Sequence, residues 1–267
     1  MGATLHFREG EAIQANAQGI LEADIVASLH GASYAQADSV LLSSGSLNDR
    51  RSGTAIRSRS RGGRVLDPET GLDAVRNVGI RDGKIARVSS AALSGRRVVH
   101  AGGLVVSPGF IDLHQHGQDM ASQRVKALDG ATTALELKIG APDVAQFLKA
   151  KEGHSLIHYG TSASHVAARA QVFGAPLPAG TILPKSGTET DQAATPEQIE
   201  AMRGRLRSEL DADGLAMGMG IQYTPGATRL EVIDMFRLAA ERRLPVYTHV
   251  RSGDTSSPAP PLSRLAK

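Results

Sequence analysis

The chain has 267 residues, 41% hydrophobic and 21% charged, a globular composition long enough for one large domain with a small companion. It has no cysteine, which excludes disulfides, thiolate metal sites and cysteine nucleophiles, and its net charge of +3 is too mild to indicate a polyanionic partner. No apolar run reaches membrane-spanning length and the first residues lack a charged-then-apolar signal pattern, so the expectation is a cytoplasmic protein with no membrane partner.

Residues 1–62 show no sustained period of 2 or 3.6. They suggest a short helix around Glu9 to Val26 and otherwise read as unassigned, a disordered or non-native extension. Arg50, Arg51, Arg57, Arg59, Arg61 and Arg64 cluster, but no aromatics interleave them and no nucleic-acid fold follows. A solvated segment is expected there, not a nucleic-acid surface. From Arg64 the texture changes. GRVLD reads as a strand and PETG as a turn, and AVRNVGIRDGKIARVSS as two alternating runs around Asp82-Gly83. Asp-Gly between such runs predicts a hairpin, because both turn residues must accept positive φ. RRVVHAGG and LVVSPGFIDL add two strands, so residues 63–106 form a small, β-sandwich-like domain.

Residues 107–252 then alternate. ATTALELKIG (131–140) is a strand, and PDVAQFLKAKEG (142–153) a helix with Pro early and Gly at its end. HSLIHYG is a strand and SHVAARAQVFG a helix. TPEQIEAMRGRLRSELDADG is a helix whose Thr195 and Gln198 form a capping box. LAMGMGIQY, ATRLEVIDMFRLAAERR and LPVYTHVRS continue as strand, amphipathic helix and strand. Strands and helices alternating without hairpins imply a parallel sheet with crossover helices.

In such folds reactive side chains gather at the carboxyl ends of strands. His114 and His116, at the end of the run PGFIDL, sit two apart and project from one face of a strand. Neutral imidazole is the commonest ligand of zinc and its neighbours. His249 ends the last strand, and Glu136 and Lys138 share a face of the strand at 131–140. Jointly these residues read as a metal site. His6, His30, His100, His154 and His158 carry no motif.

VVSPGFIDLHQHGQD resembles the signature of the amidohydrolase superfamily, in which a small β-domain precedes a His-x-His pair on barrel strand one. KALDGATTALELKIG, IHYGTSASHVAAR, GMGIQYTPGATRLEVIDMF and VYTHVRS are similar to the N-acyl-D-amino-acid deacylase branch (D-aminoacylases and acyl-D-glutamate deacylases). The resemblance covers about residues 63–252. It implies an α/β protein with a (β/α) TIM-type barrel that hydrolyses a small-molecule N-acyl amino acid by water activated on one or two zinc or similar ions. It implies metal contacts from His114, His116, Glu136 and His249, with a carbamylated Lys138 as the alternative to Glu136. Tyr223 would contact the oxyanion, Arg251 the substrate carboxylate, and His165 would be a further substrate-site residue.

A βα unit takes ~30 residues, so 107–250 provides about five of the eight that such a barrel needs. The chain therefore reads as truncated, with no general-base Asp among its residues. Residues 253–267, with Pro258, Pro260 and Pro261, read as an unpatterned tail. The expectation is that this chain alone is inactive or nearly so. The alternatives are a non-catalytic fragment that self-associates through an open barrel edge, and a cyclic-amide hydrolase of the hydantoinase or dihydroorotase kind.

Overall fold

The computed structural model describes residues 61–81, 84–176, 183 and 186–251, and the backbone of 4–6, 12–14, 25–28, 40–42 and 58–60. The Asp82-Gly83 turn and the segment 253–267 lie outside the described residues, as does most of 1–57.

The elements in chain order are β1 (Thr4–His6), β2 (Ala12–Gln14), β3 (Ile25–Ser28), β4 (Val40–Leu42), β5 (Ser58–Asp67), β6 (Leu72–Arg81), β7 (Lys84–Ser89), β8 (Arg97–His100), β9 (Val105–Pro108) and β10 (Phe110–Asp112). Then come α1 (Met120–Leu128), β11 (Ala131–Ala141), α2 (Val144–Lys151), β12 (His158–Ser164), α3 (His165–Val172), α4 (Thr188–Asp191), α5 (Pro196–Asp211), β13 (Met217–Met219), α6 (Arg229–Glu241) and β14 (Val246–Thr248). The helix expected at Glu9 to Val26 is not found where that span is described: β2 and the start of β3 are strands, β3 pairing with β9 through Ile25 and Val26. Such β-branched residues fit a pleated sheet better than a helix.

The chain divides into two compact units, residues 16–112 with 117–133, and residues 1–15 with 113–116 and 134–267. In the first, one sheet runs β4-β3-β9-β5-β6-β7, with β8 beside β5. β5 and β6 are antiparallel, and β6 buries Val78 beside Val65, Ala101 and Val106. Gly109 is required by crowding, since a Cβ there would lie 2.1 Å from Thr132 Oγ1. Asp112, at the end of β10, pairs at 2.6 Å with Lys126 of α1, a helix whose N-cap Asp119 accepts from the Ser122 amide.

The second sheet places β10, β11 and β12 side by side, with β13 next to β12 and β14 next to β13. The pairings β12–β13 and β13–β14 are parallel. With helices between its strands, this is part of a TIM-type barrel, as the alternation leads one to expect. β11 is buried along its length apart from Lys138, which is half-buried. Met202, Leu206, Met217, Met219, Met235 and Leu238 build one core between α5, α6 and β13. Caps set the helix starts: Asp143 for α2, Ser164 for α3, the Thr195–Gln198 capping box for α5 and Thr228 for α6. Gly218 lets β13 approach closely, because a Cβ would meet Ser162 Oγ at 2.3 Å and the Leu137 carbonyl at 2.8 Å.

No helix among the described residues is long and apolar enough to cross a membrane.

Candidate active site

Strand pairing continues past β10 as an isolated bridge between His114 and Glu136, and the Gln115 amide donates to the Leu135 carbonyl at 3.0 Å. Gln115 turns inward and is buried, so the histidines on either side of it share the other face. Their Nε2 atoms converge to 3.1 Å, with the rings edge-on. His116 Nδ1 meets Glu136 Oε2 at 2.6 Å. Burial pushes the Glu136 carboxyl up from its ordinary range, and the contact with His116 pulls it part of the way back. A carboxylate on Nδ1 fixes the imidazole's orientation and tautomer, leaving its Nε2 lone pair to face outward.

His249 lies just beyond β14. Its amide donates to the Met219 carbonyl at 2.9 Å, and its carbonyl accepts from the Gln222 amide at 3.2 Å. Its ring Nδ1 is 2.9 Å from Lys138 Nζ and 3.2 Å from the Tyr223 hydroxyl. Tyr223 comes from the short 3₁₀ turn Ile221–Tyr223 and stands edge-on to the imidazole. Burial holds His249 below the ordinary histidine range, and the positive charges of Lys138 and His116 add to this.

Two nitrogens that each lie ~2.0–2.1 Å from one tetrahedral ion stand about 3.3 Å apart. The His114–His116 separation of 3.1 Å therefore fits a pair of ligands to a single ion. Among the described residues, no three of His, Cys, Asp and Glu gather closely enough to hold an ion by themselves. The structure thus brings together His114, His116 and Glu136 in one cluster, and His249, Lys138 and Tyr223 in the next.

Arg251 and His165 are placed elsewhere. Arg251 donates to the carbonyls of Ile221 and Thr224, at 3.3 and 3.2 Å, and to that of Ala227. Its guanidinium thereby clamps the turn that carries Tyr223. His165 is fully buried, with Nε2 2.8 Å from Glu231 Oε1. Glu231 Oε2 accepts from Arg169 Nη1 at 2.5 Å, and the Arg169 guanidinium also reaches the carbonyls of Glu189 and Gln192. Sequence reasoning did not single out Arg169 or Glu231. Helical spacing of ordinary charged residues carries no signal that their side chains meet across the core.

An apolar groove of about 610 Å³ is lined by Ile221, Val232, Phe236, Ala240, Thr248 and Val250, and includes none of the candidate site residues.

No protein-family model matches the chain. It is similar to the dihydroorotase of Anaeromyxobacter sp. (strain K), 53% identical over 57 residues, which are 21% of this chain and 13% of that protein. Its structure is similar to that of the N-acyl-D-glutamate deacylase from Bordetella bronchiseptica, crystallised with zinc and a phosphonate mimic of the tetrahedral intermediate. The TM-score is 0.60 at 22% identity, covering 74% of this chain and 46% of that one. A D-aminoacylase matches with the same TM-score, identity and coverage. The chain thus spans less than half the length of each of these three proteins. Over the part that its residues span, the chain shares the fold of these two deacylases, the fold that the resemblance read from the sequence implies.

Proposed function

We propose that this chain carries the metal-holding part of a hydrolase that cleaves a C–N amide bond, with an N-acyl-D-amino acid as the substrate class. The observation that supports this best is the 3.1 Å convergence of His114 and His116 with Glu136 fixed on His116. A zinc ion held there would lower the pKa of a water to about 7 and polarise the amide oxygen. His114 and His116 would hold the ion. Glu136 keeps the His116 proton at Nδ1, so that Nε2 stays available. The Tyr223 hydroxyl donates to the oxygen that gains charge as the amide is attacked, a role suited to a donor fixed in place beforehand. His249 and the Arg251 clamp hold Tyr223 in that position. The recognition of an acyl-amino-acid carboxylate by Arg251 would compete with its three carbonyl contacts.

A second reading, a cyclic-amide hydrolase, is favoured by the sequence similarity to dihydroorotase. Purified protein should retain zinc on dialysis and lose it in His114→Ala. That substitution alters an exposed side chain, so folding should survive. Zinc retention is the primary readout. Assays with N-acetyl-D-glutamate and with dihydroorotate separate the two substrate classes, and any turnover must vanish in His114→Ala. Wild-type protein that keeps no zinc would overturn the proposal.

A further inference from the structure

We propose that Arg169 is a positioning residue for Tyr223: from inside the core it fixes the two elements on which the loop bearing that phenol is seated. The inference rests on the role given to Tyr223 above. Arg169 lies on α3 and is fully buried. Its Nε donates to the Glu189 carbonyl at 2.5 Å, its Nη2 to the Gln192 carbonyl, and its Nη1 to Glu231 Oε2 at 2.5 Å. Glu189 belongs to α4 and Gln192 caps its end, whereas Glu231 lies in the first turn of α6. The loop of residues 220–228 runs from β13 to α6 and contains Tyr223.

That loop rests on both elements. On the α4 side, the Gly226 amide donates to the Thr190 carbonyl at 2.8 Å, and a Cβ at Gly226 would lie 2.4 Å from the Asp191 carbonyl carbon. On the α6 side, Thr228 caps the helix by accepting from the Glu231 amide at 3.2 Å. A guanidinium presents its donors in a rigid planar fork, so the three bonds of Arg169 fix α4 and α6 relative to each other. The Arg169 and Glu231 side chains are closed off from water, so a donor that lost its partner would stay unsatisfied and the fork has little freedom to shift. Within the loop, Arg251 gathers the carbonyls of Ile221, Thr224 and Ala227 and passes that fixed frame to the turn Ile221–Tyr223. The Tyr223 hydroxyl then stands 3.2 Å from His249 Nδ1, its ring centroid 5.0 Å from that of the imidazole. A donor aimed at a developing charge acts only if it is held there beforehand. Arg169 supplies that hold through the loop and not by touching the substrate.

The test reads the placement of Tyr223 in the metal-free full chain, by NMR of tyrosine labelled with ¹³C at the ring ε positions. The chain has four tyrosines, and Tyr223→Phe assigns the resonance. The edge-on His249 ring should set that resonance apart from free tyrosine. Arg169→Lys keeps a cation against Glu231 but cannot span the two carbonyls. Gly226→Ala pushes the loop off α4 and leaves every buried charge in place. Each should shift the Tyr223 resonance toward the free-tyrosine value while zinc retention stays at the wild-type level. Leu148→Ala, a truncation in the core beside Val144 and Tyr159, should leave the resonance where it is. If Arg169→Lys folds poorly by circular dichroism, Gly226→Ala decides alone. A Tyr223 resonance unmoved in the folded variants, moved equally by Leu148→Ala, or moved only together with loss of zinc would overturn the inference. Wild-type protein that keeps no zinc would sink the metal-holding reading instead, because the resonance is read without an ion.

Discussion

His116 and His165 each meet a glutamate at hydrogen-bond distance within the same unit, 2.6 Å to Glu136 and 2.8 Å to Glu231. Around His165 everything is closed. Both side chains are fully buried, and each Glu231 oxygen has a cationic or imidazole partner, Arg169 or His165. Around His116 the imidazole is 48% exposed and Glu136 only 11%, so the carboxylate is inside and the ring faces out. His114, His249 and Lys138 crowd the same region with that one carboxylate among them. A histidine–carboxylate pair is thus a brace when its other polar groups are enclosed. It is a candidate site when ring nitrogens converge on open space with more basic groups than carboxylates.

The largest expected effect falls on the closed cluster. Burial alone would raise the Glu231 carboxyl, but the hydrogen bonds and charges of His165 and Arg169 outweigh it and hold the group below the ordinary range. Its contribution to stability is therefore present above the ordinary glutamate range and is lost as pH falls through the lowered value. Glu231→Ala leaves Arg169 buried and unpaired and should cost about 3–5 kcal/mol by urea denaturation at neutral pH. It should leave zinc retention intact wherever the variant is folded. A cost below ~1 kcal/mol would show that the closed cluster is not the brace the comparison makes it.

Much of this molecule was legible beforehand. The 131–141 strand, the capped helices at 144–151, 196–211 and 229–241 and the alternation at 72–89 follow from period and cap chemistry, which are local. The His114–His116 convergence was legible for the same reason, since residues two apart on a strand must share a face. The partners of His165 and Arg251 were not, because they depend on which helices and loops meet. Arg251 reaches residues 24 to 30 positions earlier, and His165 one 66 later. Helix α1 was also missed. Met120, Val125 and Leu128 are exposed, so its apolar residues mark no buried stripe, and only the Asp119 cap could have announced it.

An intermediate effect tests the open cluster from its carboxylate. Glu136→Gln keeps an acceptor near His116 but removes the charge that favours the proton on Nδ1. Loss of such an outer partner typically weakens metal affinity 10–100-fold. Stability should move the other way. The folded protein holds Glu136 above the ordinary carboxyl range because of burial, so folding becomes less favourable as pH rises through that raised value. The metal-free Gln variant should then be more stable than wild type at neutral pH, with the difference shrinking in acid. Unchanged zinc affinity with unchanged stability would mean that Glu136 neither orients His116 nor is strained by burial.

The smallest expected effect concerns His249 and sharpens the contrast in charge. Burial is the first cause of its lowered value, Lys138 the next and His116 the third. A histidine held low is neutral in the folded chain while its unfolded counterpart still binds a proton. Stability is therefore complete above the ordinary histidine range and declines as pH falls through it toward the lowered folded value. Lys138→Leu removes the second cause and leaves the first, so the His249 titration followed by NMR should move up only part of the way to the ordinary range. The acid-side loss of stability in metal-free protein should shallow to match. His249 is only half-buried, and screening by water keeps the change small. The direction decides the matter: a His249 titration that stays put or falls when Lys138 is removed would mean that the lysine's charge is not felt there, and the open cluster would lose the crowding of positive groups that sets it apart from the closed one.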